Sequence, residues 1–113
     1  MMIIRGTLKF EELTQMAAGM FGDFVKAVVD VDRQLLAVDA ELHADLEALL
    51  LEDGSRQKSL WGINLYPEAK AGQFVEIDSM INMRPSQANK SRGVEDEATR
   101  KNIITIVEKR ILR

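Results

Sequence analysis

At 113 residues, 46% of them apolar and 29% charged, the chain has the make-up of one globular domain built on a single core. The lack of cysteine excludes disulfide scaffolds, thiol nucleophiles and thiolate metal sites, and a single histidine excludes a multi-histidine zinc centre supplied by one chain. A net charge of −3 argues against a general polyanion binder, and no apolar run approaches the ~20 residues of a membrane span.

The opening Met1-Met2-Ile3-Ile4 is too short for a secretory core, and a cysteine-free chain suits a reducing compartment, so a cytoplasmic protein without membrane contact is expected. Met2 to Arg5 reads as a short strand closed by Gly6-Thr7. Phe10, Leu13, Met16, Ala17, Met20 and Phe21 then form one apolar stripe at helical period, with Glu11 and Glu12 in the first turn and Gly22 placed to end the helix. From Phe24 to Val31 the period changes to two, and Leu35 to Val38 resumes after a polar break, which predicts a β-hairpin.

Asp39 to Gly54 reads as a helix, with Leu42, Leu46, Leu49 and Leu50 on one side, Asp39 as cap and Gly54 as terminator. A hairpin turning at Asp53-Gly54 is the rival, but the residues after it lack apolar alternation. Leu60 to Tyr66 is a strand, with Leu60, Gly62, Asn64 and Tyr66 on one face and Trp61, Ile63 and Leu65 on the other. Phe74 to Met83 is expected to be the next strand, antiparallel because the connection is too short for a crossover helix. A final helix is capped by Asp96 and carries Ile103, Val107 and Ile111 with Ile104 alongside. Residues 1–113 therefore predict a single α+β domain of order β-α-β-β-α-β-β-α, a largely antiparallel sheet of about five strands with helices packed on it.

Charge is uneven along the chain. Residues 1–83 hold 7 Lys/Arg and 14 Asp/Glu, whereas residues 84–113 hold 8 and 4. A basic terminal helix on an acidic body accounts for most of this, since Lys109, Arg110 and Arg113 sit at the negative end of the helix dipole. The stretch Arg84 to Gly93 is different: ten residues with almost nothing to bury and no carboxylate. Its Arg84, Ser86, Asn89, Ser91 and Arg92 are the residue types that hold a phosphate or carboxylate, and it leads toward a helix N-terminus. The competing account is a solvated loop whose arginines pair with Asp78 or other acidic residues. The stretch matches no phosphate-loop pattern.

His43 is a candidate general base, and with Glu47 it forms an i, i+4 pair of the kind two metal ligands use. With no further histidine and no metal-binding pattern, no metal site is assigned. Asp30, Asp32, Asp39 and Asp78 fall near strand ends, where turn chemistry explains them as well as catalysis does, and Asp78 is the one kept as a catalytic candidate. Trp61 could flank a pocket with Gln57 and Asn64 as polar partners, although core packing is the commoner fate of such a residue. The basic loop contains no aromatic residue, which disfavours nucleic acid.

Two stretches carry a resemblance: HADLEALLLEDGSRQKSLWGINLYP, from His43 to Pro67, and DSMINMRPSQANKSRGVED, from Asp78 to Asp96. With the opening IIRG and EELTQMA they resemble a family of small stand-alone prokaryotic proteins catalogued as a domain of unknown function. The resemblance spans nearly the whole chain and implies a single-domain cytoplasmic protein, with no cofactor or catalytic set to carry over. The expected function is binding of a small anionic ligand by the 84–93 loop. The alternatives are a hydrolase acting on a phosphorylated substrate, with His43 or Asp78 as base, and a structural module such as a homodimer.

Overall fold

A computed structural model describes residues 1–70 and 72–113. Its strands are β1 (Met2–Ile4), β2 (Leu8–Lys9), β3 (Val25–Asp30), β4 (Leu35–Val38), β5 (Leu60–Leu65), β6 (Val75–Glu76) and β7 (Ile111–Leu112), and its α-helices are α1 (Phe10–Ala18), α2 (His43–Glu52) and α3 (Glu97–Arg110). Five strands form one sheet in the order β1-β4-β3-β5-β6, every neighbouring pair antiparallel. The two-residue strands β2 and β7 pair in parallel, Leu8 opposite Ile111, and are too short for any periodicity to reveal.

Strand alternation distributes the side chains over two faces. Val25, Ala27, Val29, Leu36, Val38, Trp61, Ile63 and Leu65 pack with Leu13 and Ala17 of α1 and with Ile103, Ile106 and Val107 of α3. Val28, Leu35, Ala37 and Leu60 face the other way, onto Leu46 and Leu50 of α2. The result is a sheet between two helical layers, so β4 is buried at every position and reads as a continuous apolar run.

The predicted hairpin forms between β3 and β4. Asp30, fully buried, makes its turn by accepting the N–H groups of Asp32 and Arg33 on Oδ1, both at 2.9 Å. Gln34 takes the left-handed conformation, φ 57°, just before β4.

Three expectations need correction. The first helix stops at Ala18, before Met20 and Phe21, which are exposed; Gly22 does turn left-handed, its N–H bonding Ala17 O at 2.7 Å, and this wraps the intervening residues back over the helix end. Helix α2 begins at His43, not after Asp39: Leu42 is its N-cap and gives no side-chain cap, while Asp39 sits at φ 73°. The strand expected over Phe74 to Met83 shrinks to Val75–Glu76, and Met80–Asn82 is a 3-10 turn.

The cause of that last difference lies on β5. Its edge is paired by β6 only at Asn64 and Leu65. At Gly62, the Asn82 carboxamide takes the place of a strand: Gly62 N–H donates to Asn82 Oδ1 at 2.8 Å, and Asn82 Nδ2 donates to Gly62 O at 3.0 Å. Further along, the Arg84 guanidinium donates to Leu60 O and Gln57 O. Gly62 itself is required, because a Cβ there would lie 2.5 Å from Ser79 Cβ.

Replacing Asn82 by Ala strips partners from two buried peptide groups and is expected to cost about 3 kcal/mol in denaturant unfolding. Ser86→Ala, at an exposed position, is expected to change stability by no more than about 0.5 kcal/mol.

Candidate functional site

Register places three polar residues in a row across the second face of the sheet. Lys26 of β3 opposes Asn64 of β5, which opposes Glu76 of β6. The same face is apolar one step further along, at Val28. Helix α2 covers the apolar part and starts beside the polar row, where Leu42, His43 and Ala44 join it around a cavity of about 530 Å³. Phe24 and Tyr66 form an aromatic side of the cavity, and Asp78, Ser79, Met80 and Arg92 bound it from the segment after β6.

The row is internally oriented. Asn64, 7% exposed, donates from Nδ2 to Glu76 Oε1 at 2.9 Å, and Tyr66 Oη donates to the same oxygen at 3.2 Å. Because Nδ2 faces a carboxylate, the carboxamide cannot be flipped, and its buried Oδ1 is left without a hydrogen bond.

His43 lies over this row, with Nε2 2.8 Å from the carbonyl oxygen of Ile63. A carbonyl only accepts, so Nε2 carries the proton and Nδ1 is the basic nitrogen of the neutral ring. Burial is the main cause holding the His43 pKa below its usual value, and the Lys26 charge adds to it; Ile63 O, Asn64 and Asp78 oppose the shift.

The polar loop is folded on itself. Pro85–Gln87 forms a 3-10 turn, Ala88 is left-handed at φ 60°, and Arg84 and Asn89 exchange backbone hydrogen bonds at 2.7 and 3.1 Å. Buried Asn89 is its hub, donating from Nδ2 to the carbonyls of Asn82, Ser91 and Gly93 and accepting Glu95 N–H on Oδ1. The N–H groups of Lys90 and Ser91 point at the Glu95 carboxylate, so the anion in this part of the loop is the protein's own.

The sequence-nominated residues therefore separate. Arg84 is 9% exposed, bonded to carbonyls and stacked 3.9 Å from the Trp61 ring centre. Ser86 and Ser91 are exposed, and Asn89 borders a second cavity of about 570 Å³ beside Trp61 and the start of α3. Arg92 alone reaches the His43 cavity. Its Nε donates to Asp78 Oδ1 at 2.6 Å, and Nη1 lies 3.6 Å from Met80 Sδ. Three of the nominated residues thus meet at one cavity: His43, Asp78 and Arg92.

Residues 2–110 match the family described as "Protein of unknown function (DUF5674)". The chain belongs to that family. No curated protein and no solved structure matches it.

In this DUF5674 chain, sequence reading passed over Phe24, Lys26 and Glu76 and noticed Asn64 only as a partner of Trp61, which lies on the opposite face of β5. The available signal was parity. Lys26 and Asn64 are polar residues at positions of β3 and β5 that share a face with Val28 and Leu60. Among the described residues no group of three or more His, Asp or Glu side chains is arranged to hold a metal ion. Likewise no described helix is long and apolar enough to cross a membrane.

The His43 shift has a measurable consequence. Below the ordinary histidine pKa of about 6.5 the unfolded chain takes up a proton that the folded chain resists, so stability falls as pH drops through that value toward the lowered folded pKa. Between about pH 7.5 and pH 5, wild type is expected to lose more stability in denaturant unfolding than His43→Gln, whose side chain can still donate to Ile63 O.

Proposed function

We propose that the protein is a binding domain for a small anionic ligand, phosphate-bearing or acidic, taken at the His43 cavity and not along the 84–93 loop as a whole. One observation carries the reading: two cations from distant parts of the chain, Lys26 and Arg92, border the same concave site. Asp78 holds Arg92 through Nε, which fixes the guanidinium; Nη1 lies against Met80 Sδ, and Nη2 has no hydrogen-bond partner among the described residues. Lys26 has no carboxylate within ion-pair distance among the described residues. The start of α2, without a side-chain cap, adds its positive dipole end to the same wall. A cytoplasmic setting belongs to this proposal and suits a cysteine-free chain.

Titration calorimetry with inorganic phosphate and ribose 5-phosphate tests it. Lys26→Met and Arg92→Gln are each expected to weaken binding about tenfold, the equivalent of ~1.4 kcal/mol. Affinities unchanged by both substitutions would remove the support for this site.

A hydrolase acting on a phosphorylated substrate is the second reading, favoured by His43, whose basic nitrogen is Nδ1 and which borders the same cavity as Arg92. There His43 would activate water while Arg92 and Lys26 stabilise developing charge. Phosphate release by wild type that His43→Gln abolishes would establish it.

A further inference from the structure

Resting on the anion-binding reading, we infer that Met80 is a site of reversible oxidation by hydroperoxides, and that its sulfoxide withdraws Arg92 from the anion. Met80 borders the cavity and is 65% exposed, more than any other large apolar side chain described. Its backbone is nonetheless fixed. It opens the 3-10 turn Met80–Asn82, preceded by Ser79, which is 2% exposed and accepts Ile81 N–H on Oγ. The turn closes on Asn82, fully buried and tied to Gly62. A thioether held this way meets dissolved oxidants without any opening of the fold.

The chemistry is a two-electron oxidation. A lone pair of Met80 Sδ attacks the terminal oxygen of the hydroperoxide, and the S–O bond forms as the O–O bond breaks. The other oxygen leaves with the electron pair and takes the proton released from the new S–OH group, departing as water or an alcohol. Sulfur is oxidised and the peroxide reduced. Methionine sulfoxide reductases return the thioether, which makes the change reversible.

The consequence follows from what lies beside the sulfur. Arg92 Nη1 is 3.6 Å from Met80 Sδ, a weak contact because a thioether is a poor acceptor. A sulfoxide oxygen is a far better one. An S–O bond of about 1.5 Å and an N–H···O distance of about 2.9 Å, meeting at ~110°, set sulfur and nitrogen ~3.7 Å apart. The existing contact already has nearly that length, so the new oxygen reaches Nη1 with little movement of either side chain. Asp78 holds Nε, and oxidation therefore leaves Nη2 as the one unengaged nitrogen of the guanidinium. The oxygen also places partial negative charge beside the group that an anion would use. Met1 supplies the contrast: it is 64% exposed but does not border the cavity, so its oxidation is silent.

The test treats the full chain with hydrogen peroxide, locates sulfoxides by peptide mass spectrometry and checks the fold by circular dichroism. Binding of inorganic phosphate is then measured by calorimetry. Met80 is expected to oxidise as fast as Met1, and phosphate affinity to fall about tenfold in step with it, matching the loss in Arg92→Gln. Peroxide should cause no further loss in Arg92→Gln and no change in Met80→Leu from its own starting affinity. Methionine sulfoxide reductases should restore wild type. Met80 left reduced where Met1 is oxidised would overturn the inference, as would a similar loss in peroxide-treated Met80→Leu. Affinity unchanged with Met80 fully oxidised would overturn it and leave the anion site standing. A wild type that binds no phosphate before oxidation would overturn the inference and the anion site together.

Discussion

The edge of β5 governs the rest of the molecule. A buried strand edge must have every N–H and C=O answered, and β6 answers only at Asn64 and Leu65. Beyond them, Gly62 N–H and O, Leu60 O and Gln57 O are met by side chains, the carboxamide of Asn82 and the guanidinium of Arg84. A carboxamide presents a donor and an acceptor side by side, as a peptide group does, so it replaces one rung of a ladder with little distortion. For Asn82 to come that close, Ser79 must lie against β5, and only a residue without a Cβ fits at position 62. Asn82 and Arg84 are therefore polar because they complete a sheet edge.

The same substitution of side chain for strand shapes the cavity. Had the chain continued as a strand from Val75 to Met83, it would lie beside β5 in the plane of the sheet and would not wall the face that carries Asn64. It leaves the sheet after Glu76 instead, and Asp78 to Ile81 pass along the rim where α2 begins. The space between is bordered by whatever the register puts there, which is Lys26, Asn64 and Glu76 in one row. Fold and candidate site thus share one cause, and Ser79 takes part in both, set against Gly62 on one side and bordering the cavity on the other.

Much of the fold was legible because it rests on periodic burial. The alternation from Val25 to Val31 and the Asp96 cap describe local chemistry, and β3 and α3 formed where it pointed; the leucines of α2 placed that helix but not its start. The failures were non-local. Phe74 to Met83 has strand composition, but a neighbouring strand whose edge is already served by Asn82 has no rungs left to offer it. Asp39 resembles a cap, yet α2 starts later, where Leu46 and Leu50 can meet Val28 and Leu60. The site was harder still to read, because Phe24, Lys26, His43, Tyr66, Glu76 and Arg92 come together only through sheet register and the placement of α2. The absence of aromatic residues from the basic loop is true of the sequence, but Arg92 borders the same cavity as Phe24 and Tyr66.

Arg84 and Arg92 show why residue type alone could not assign roles within the loop. Eight positions apart in one polar stretch, they are chemically identical and were nominated together. Arg84 is buried against Trp61 and gives its donors to carbonyls that have no strand partner, so its loss is felt by the sheet. Arg92 keeps a side-chain exposure of 54% and a single carboxylate contact, through Nε, with Nη1 against the Met80 sulfur. A guanidinium spent on backbone carbonyls is fixed for good, whereas one oriented by a partly exposed carboxylate stays charged, accessible and aimed. Burial and partner type divide the two arginines, and that division puts the candidate anion contact at the end of the loop nearest His43.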